Sequence, residues 1–121
     1  MKKILAVDDA NTVLKIVNLT LSDEGYEIKT ATNADEAKKI LQNEKFDLGI
    51  FDVNMPGQNG IDLTKDALAM PNGKDMKIVI LTTESSEELK IAGKNAGAVA
   101  WLVKPFDGED LLELVNQLIG S

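Results

Sequence analysis

The sequence predicts an α/β fold, an open sheet of five parallel strands with helices on both faces. Two observations favour it: short apolar runs alternate with amphipathic helical patterns, and most of the runs are continuously apolar, as in strands buried on both faces. The 121 residues have the size of one domain, and 44% hydrophobic with 27% charged residues is typical of a soluble globular protein. We therefore expect residues 1–121 to form a single domain with no room for a second output module.

Five segments have the length and composition of strands. In chain order they are residues 4–7, 26–30, 48–51, 78–81 and 99–103. Four of them are continuous apolar runs, which are typical of strands covered by helices. The second run alternates apolar and polar residues, which is typical of an edge strand with one face in water.

Helical patterns separate these strands. Three apolar stripes have helical spacing: Val13, Ile16, Val17 and Leu21; Ala34, Ala37, Ile40 and Leu41; and Leu111, Leu114, Val115 and Leu118. Asn33 is a candidate N-cap for the second stripe. The segment 84–96 predicts a loosely held helix, because its apolar residues are mostly small. Loops are expected at Pro56-Gly57, at Gly60 and at Pro71-Asn72-Gly73.

The composition excludes several classes of function. The chain has no cysteine and no histidine, so it has no disulfide or thiolate nucleophile, and a phosphoryl group on histidine must come from a partner. The net charge is −7 and all 13 basic residues are lysine, which argues against binding nucleic acid. No apolar run approaches the roughly 18 residues of a membrane span. Residues 1–4 lead into a strand rather than a signal peptide. The absence of cysteine fits the cytoplasm, which is the location that we expect.

Polar residues follow four of the five predicted strands. Asp8-Asp9 follows the first strand, Asp52 the third, Thr82-Thr83 the fourth and Lys104 the fifth. In open α/β sheets ligands bind at the carboxyl ends of the strands. We therefore expect three carboxylates, one or two hydroxyls and one ammonium group to converge in one crevice.

The chemistry of this cluster indicates phosphoryl transfer. Three ionised carboxylates in one pocket repel each other and need a cation. Oxygen ligands without histidine or cysteine favour a hard ion such as Mg²⁺, which keeps positions open for phosphate oxygens. A metal ion and an ammonium group can stabilise a phosphoryl group while a carboxylate attacks it in line.

Each residue also has an alternative structural explanation. The Asp8-Asp9 pair and Asp52 are common in turns and helix caps, Thr82 is a plausible helix cap, and a lone Lys104 is usually a solvated charge. The functional interpretation depends on their coincidence, because four strands deliver complementary polar groups to one end of the sheet.

Four motifs in this order resemble the receiver domain of two-component response regulators, in particular its stand-alone CheY-type members. They are Ala6-Val7-Asp8-Asp9, residues 52–56 with Gly60 following, residues 81–86, and residues 101–106. The resemblance covers essentially the whole chain. It implies a flavodoxin-like, CheY-like fold with strand order 2-1-3-4-5.

The resemblance also implies a role for each site residue. Asp52 would be the phospho-acceptor, and Mg²⁺ would be bound by Asp8, Asp9, Asp52 and the backbone carbonyl of Asn54. Lys104 would pair with the acceptor and then with the phosphoryl group, and the Lys104-Pro105 peptide would be cis. Thr82 and Trp101 would form the switch, with Trp101 where Tyr or Phe is more usual and a plain core or edge aromatic as its alternative explanation. Asn54 and Glu84 would tune dephosphorylation.

The implied protein is a signalling switch that catalyses only its own phosphorylation and autodephosphorylation. A histidine kinase of the chemotaxis type would phosphorylate it, the surface formed by the fourth helix, fifth strand and fifth helix would bind the flagellar motor switch or another effector, and a phosphatase would be a further partner. We expect a monomer with no nucleic-acid or membrane partner. Two departures from the family pattern are Ala10, where Ser is common, and Gln58-Asn59 ahead of Gly60.

Three other functions are compatible with parts of the pattern. A haloacid-dehalogenase-like phosphatase also uses Asp, Thr, Lys and Mg²⁺, but it places its Asp-x-Asp motif after the first strand. A relay protein of the same fold would pass its phosphoryl group to another histidine. A flavodoxin-like FMN binder would not need three carboxylates around the phosphate.

Overall fold

Strands and helices alternate along the whole chain. The computed structural model describes residues 1–83 and 86–120. Its elements are β1 (Lys3–Val7), α1 (Asn11–Ser22), β2 (Glu27–Ala31), α2 (Ala34–Asn43), β3 (Leu48–Asp52), α3 (Gly60–Ala69), β4 (Lys77–Thr82), α4 (Glu87–Ala96), β5 (Ala100–Val103) and α5 (Gly108–Ile119). All five predicted strands are present, and no bound differs by more than one residue.

The strands form one parallel sheet in the order β2-β1-β3-β4-β5. This order confirms the predicted fold. β1, β3 and β4 occupy the centre, so the residues that follow them emerge side by side at the carboxyl edge of the sheet. The register of β3 on β4 sets Asp52 opposite Leu81, one residue before Thr82.

Two apolar cores lie on opposite faces of the sheet. The helices α1 and α5 cover one face, where Val17 and Val115 are fully buried. The helices α2, α3 and α4 cover the other, where Phe51 of β3 is fully buried. Parallel strands need this double cover, and burial of apolar surface on both faces is the main favourable contribution to folding.

The two edge strands are less completely covered than the centre. In β2 only Ala31 is buried, which agrees with the alternating pattern of that strand. β5 was expected to be covered on both faces, yet Val103 is 39% exposed and the rest of the strand is partly buried. The difference follows from the position of β5 at the sheet edge, where a neighbouring strand is present on one side only.

Two local predictions were wrong. Ile16 is 47% exposed, because the buried face of α1 comprises Leu14, Val17 and Leu21; the predicted stripe shares Val17 and Leu21 with this face but misplaced Ile16 and omitted Leu14. Gly60 does not lie in a loop but is the first residue of α3, and the Asn59 side chain caps that helix by accepting from the Asp62 N–H at 2.9 Å. The predicted cap of α2 is confirmed, since Asn33 accepts from the Glu36 N–H at 2.8 Å.

The helix α4 contributes little to the core. It begins at Glu87 with Ser86 as its N-cap, and residues 84–85 of the predicted segment lie outside the described part of the chain. Its buried residues are only Gly93 and Ala96, while Ile91 is 55% exposed. The small apolar contribution agrees with the sequence, and loose attachment stays a prediction.

Among residues 1–83 and 86–120, the helices are all too short or too polar to cross a membrane.

Candidate functional site

The polar residues that follow the strands lie together at the carboxyl edge of the sheet. Asp52 and Thr82 are the last residues of β3 and β4, and Asp8 and Lys104 directly follow β1 and β5. Backbone hydrogen bonds continue the sheet past its formal end, with the Lys104 N–H donating to the Thr82 carbonyl at 2.7 Å. The predicted convergence is therefore observed.

Three carboxylates form a cluster at this edge. Asp8, Asp9 and Asp52 each contribute an oxygen atom, and these atoms lie within 4.8 Å of one another. Asp8 and Asp52 are 1% and 3% exposed, whereas Asp9 lies at the surface. Two buried carboxylates and one exposed carboxylate form an oxygen donor set open to solvent on one side. This donor set fits Mg²⁺, which binds to one or two carboxylates and keeps several waters.

The ammonium group of Lys104 bridges the two buried carboxylates. Its Nζ lies 2.7 Å from Asp8 Oδ2 and 3.1 Å from Asp52 Oδ1. The Lys104 side chain is only 17% exposed. Lys104 is therefore not a solvated surface charge, and the alternative explanation from the sequence is wrong.

Burial and the neighbouring charges shift the pKa values of Asp52 and Lys104. Burial raises the pKa of Asp52; repulsion by Asp8 adds to this, and together they outweigh hydrogen bonds from Lys104 and the Asn54 backbone. Burial alone would lower the pKa of Lys104, but its hydrogen bonds to Asp8 and Asp52 raise it above the ordinary value. The lysine therefore stays charged, and it only partly compensates the cost of ionising Asp52.

Asp8 combines a turn contact with its contact to Lys104. Its Oδ1 accepts from the Ala10 N–H at 2.9 Å, while its Oδ2 faces Lys104. Ala10 is the N-cap residue of α1 and makes no side-chain capping bond. Thr82 is fully buried and does not cap α4, whose cap is Ser86. The turn explanation thus holds for one oxygen of Asp8, and the capping explanation fails for Thr82.

The loop after β3 brings Asn54 to the site. Asn54 is exposed, and its backbone N–H helps to lower the pKa of the Asp52 carboxyl group. Glu84, the other predicted tuning residue, lies outside the described residues. The predicted cis peptide between Lys104 and Pro105 is confirmed.

Sequence reasoning missed the contribution of Gly60 to the site. A Cβ atom at Gly60 would lie 2.2 Å from the Asp52 carbonyl oxygen, so α3 begins in direct contact with the backbone of the central acid. The glycine eight residues after Asp52 was the available signal, and its role becomes visible only once helix and strand are packed. Gln58, a departure from the family pattern, donates to Asp66 of α3 at 2.6 Å and so ties this loop to the helix.

Trp101 lies on β5 beside α4. It is partly buried, packs against the core on the α2–α3–α4 face and is paired in register with Ile80. Its indole Nε1 is buried and makes no hydrogen bond within the described part of the chain. Packing alone therefore holds the ring in this position.

A family model described as the response regulator receiver domain matches residues 4–116. The chain belongs to this family. As a receiver domain, it is a signalling protein rather than a metabolic enzyme, and it has the acidic pocket in which receiver domains bind Mg²⁺.

Receiver domains of known proteins match the chain over its whole length. Protein PilH of Pseudomonas aeruginosa is 32% identical over 100% of both chains, and chemotaxis protein CheY1 of Helicobacter pylori is 36% identical over 98% of both. The structure of Vibrio cholerae chemotaxis protein CheY4 has a TM-score of 0.95 with 43% identity, covering 98% of this chain and 99% of that one. The chain is therefore similar to single-domain, CheY-like regulators.

A metal-bound relative supports the assignment of the acidic pocket. The response regulator TrrA of Thermotoga maritima, solved in complex with Mg²⁺ and BeF, is 36% identical over 98% of this chain and 100% of that one, with a TM-score of 0.85. In this receiver domain the acidic pocket consists of the carboxylates of Asp8, Asp9 and Asp52.

Proposed function

We propose that this protein, as a single receiver domain spanning residues 1–121, accepts a phosphoryl group on Asp52 from a histidine kinase and then binds an effector protein. The observation that carries the proposal is the contact of Lys104 Nζ with both buried carboxylates, 3.1 Å from Asp52 and 2.7 Å from Asp8. Lys104 orients the Asp52 carboxylate. Its ammonium group lies where it can form an ion pair with an oxygen atom of the incoming phosphoryl group. We propose that Thr82 donates its hydroxyl to the same group.

The proposed reaction is a direct exchange of one bond for another. A carboxylate oxygen of Asp52 forms a bond to phosphorus as the P–N bond of the kinase phosphohistidine breaks. The electron pair of that bond stays on the imidazole nitrogen, which receives a proton from solvent. Asp52 must be ionised to attack, and Lys104 favours that form by hydrogen bonding.

Asp8, Asp9, Asp52 and the Asn54 carbonyl are the proposed ligands for Mg²⁺. When bound, the ion neutralises the negative charge that phosphate and carboxylates bring together. Asn54 and Glu84, which lie two residues beyond Asp52 and Thr82, are proposed to tune the rate at which the phosphoryl group is lost. The proposed receiver domain catalyses no other reaction.

The proposed output is a change in the α4–β5–α5 surface. Movement of Thr82 toward the phosphoryl group would be followed by Trp101, in a shift of population between two conformations. The names of the relatives CheY1 and CheY4 support a role in chemotaxis, with a chemotaxis-type kinase as donor and the motor switch or another effector as target. A phosphatase as further partner, a monomeric state and a cytoplasmic location complete the proposal.

Phosphate labelling tests the chemistry directly. The protein is incubated with a small phosphodonor and Mg²⁺, and the expected result is an acid-stable, base-labile phosphate on Asp52, located by mass spectrometry. Asp52→Asn should abolish the label. Asp75→Asn, which removes an exposed acid elsewhere on the surface, is the matched control and should label fully. Full labelling of Asp52→Asn would overturn the assignment.

Binding assays test the proposed partner. The protein treated with beryllofluoride should bind the motor-switch protein more tightly than the untreated protein does. Rapid return of the phosphoryl group to a histidine phosphotransfer domain, without tighter binding to the motor switch, would instead identify a relay.

A further inference from the structure

The helix α4 contains a glycine at a position where glycine is unfavourable. Gly93 lies inside α4 and is buried. A glycine within a helix loses more backbone entropy on folding than alanine and lowers helix stability. Its backbone does not adopt the left-handed conformation that requires glycine, because among the described residues positive φ angles occur only at Gly25, Gly57 and Gly97. The reason for this glycine must therefore be the space that it leaves.

That space is occupied by the indole ring of Trp101. A Cβ atom added at Gly93 would lie 3.1 Å from Trp101 Cζ3 and 3.6 Å from Trp101 Cε3. The next contact, to Ile80 Cγ1 at 3.7 Å, is ordinary van der Waals distance. A side chain at position 93 would thus meet the six-membered ring of the indole first. The absence of a side chain at Gly93 leaves a notch in the surface of α4, and the six-membered ring of Trp101 faces this notch.

We propose that Gly93 is a positioning residue for Trp101: the notch at Gly93 lets the large indole ring rest between α4 and β5. The polar edge of the ring supports this, because Nε1 is buried without a hydrogen-bond partner in the described structure. Since the described residues offer Nε1 no polar contact, packing holds the ring in this partly buried position. Its position therefore depends on the fit between ring and helix.

The consequence for switching rests on the proposed function. If Trp101 follows Thr82 when Asp52 is phosphorylated, the notch decides how far inward the ring can move. A methyl group at position 93 would favour the outward position even in the activated protein. Gly93 would then set the balance between the two conformations without touching the phosphorylation site.

The fluorescence of Trp101 tests the proposal without requiring phosphorylation, because Trp101 is the only tryptophan in the chain. In the untreated protein, Gly93→Ala should shift the emission to longer wavelength and increase quenching by acrylamide, since the ring moves toward solvent. After beryllofluoride and Mg²⁺, the change in emission should be smaller than in the unsubstituted protein. Unchanged emission and quenching in the untreated variant would overturn the proposal.

The matched control separates the notch from helix propensity. Asn95→Ala also introduces a better helix-forming residue into α4, but Asn95 is exposed. It should leave emission and quenching unchanged, and an equal shift in both variants would contradict the role of Gly93. If beryllofluoride fails to alter emission in every variant while Gly93→Ala still shifts it in the untreated protein, the switch fails and the positioning role stands.

Thermal stability provides a second test, which also applies if Gly93→Ala folds poorly. Gly93→Ala should lower the midpoint of thermal unfolding when Trp101 is present, because the new methyl group lies too close to the indole ring. In a Trp101→Ala background the same substitution should raise the midpoint, because the close contact is removed and the gain in helix propensity remains. Destabilisation by the same amount in both backgrounds, or failure of the double variant to fold, would overturn the proposal.

Discussion

At the scale of single residues, the site sets one lysine against three carboxylates. Lys104 contacts Asp8 and Asp52, and Asp9 stands beside them at the surface without a described contact to the lysine. Two of these acids are almost completely buried, and burial of charge is costly unless it is compensated. The raised pKa of Asp52 is the result. The arrangement maintains a reactive carboxylate at a cost in stability, and a bound cation would lower that cost.

Replacing Asp52 should therefore stabilise the metal-free protein. Because the pKa of Asp52 in the folded state lies above its ordinary value of 3.8, its ionisation destabilises the fold, fully above the raised pKa and not at all below 3.8. We expect Asp52→Asn to raise the free energy of unfolding at pH 7 by on the order of 1 kcal/mol. The gain should shrink as the pH is lowered toward 3.8, and urea denaturation in EDTA across this range measures it.

Asp75→Asn serves as the control for this prediction, because Asp75 is exposed and its replacement should change stability by less than about 0.5 kcal/mol. A variant Asp52→Asn that is less stable than the original protein at pH 7 would mean that the hydrogen bond from Lys104 outweighs burial and repulsion by Asp8.

At the scale of elements, the site depends on how α3 begins. Asn59 caps the helix, and Gly60 lies so close to the last residue of β3 that a Cβ atom would overlap the Asp52 carbonyl oxygen at 2.2 Å. The Gly60 N–H also donates to the Val53 carbonyl at 3.3 Å. The loop that carries Asn54 is thus held between a strand end and a helix start. The geometry of this loop, and with it the position of the Asn54 carbonyl that is the proposed ligand, depends on the absence of a side chain at Gly60.

Gly60→Ala should disturb both stability and metal binding. Overpacking of backbone against backbone typically costs about 1–3 kcal/mol, and the loop must move to relieve it. We expect a lower midpoint of unfolding together with weaker binding of Mg²⁺, measured by titration calorimetry.

The matched variant is Gly108→Ala, at the first residue of α5, which also follows a capping side chain, that of Asp107. There a Cβ atom would meet the Thr20 side chain at 3.1 Å, and a side chain can adjust more easily than backbone. This variant should retain its affinity for Mg²⁺. Equal affinities in both variants would show that the start of α3 does not position the loop.

At the scale of the whole molecule, charge is distributed unevenly between the two ends of the sheet. Near the amino end, Glu44, the residue that follows α2, is paired with Lys3 and Lys29, and Lys3 is also paired with Glu27, so two lysines balance two carboxylates. At the carboxyl end, Lys104 faces an excess of negative charge. The central strands belong to both apolar cores and end at the edge where the carboxylates lie. A cation that binds there binds the folded domain and not the unfolded chain, so it raises the free energy of unfolding of the whole domain.

Magnesium should accordingly raise the stability of the entire domain. At a free concentration 100 times its Kd, Mg²⁺ should add about 2.7 kcal/mol to the free energy of unfolding, and EDTA should remove that gain. Asp9→Asn should reduce the gain at equal Mg²⁺ without lowering stability in EDTA, because Asp9 is exposed. Thermal scans with Mg²⁺, with EDTA and with NaCl of equal ionic strength measure the effect. An identical response of Asp9→Asn and the original protein would exclude Asp9 as a ligand.

Periodicity and residue order were sufficient to predict an open parallel sheet and the polar residues at its edge, while the family and the strand order came from the resemblance of four motifs to receiver domains. Strands and helices have different apolar periods, and parallel strands end on the same side, so Asp8, Asp52, Thr82 and Lys104 could be assigned to one crevice before any coordinates were known. The misplaced Ile16 shows the limit of this reasoning. Val17 and Leu21 were assigned correctly to the buried face of α1, but only packing against the sheet and α5 put Leu14 on that face and left Ile16 exposed.

Local sequence alone determined which chemical groups this protein carries and at which end of the sheet they stand. Tertiary structure decided how they divide their contacts: Lys104 pairs with Asp8 at 2.7 Å as well as with Asp52 at 3.1 Å, although 96 and 52 residues separate these partners in sequence. It also decided the roles of Gly60 and Gly93. A glycine acts through the space that it leaves, and the atoms that fill this space belong to other elements of the fold.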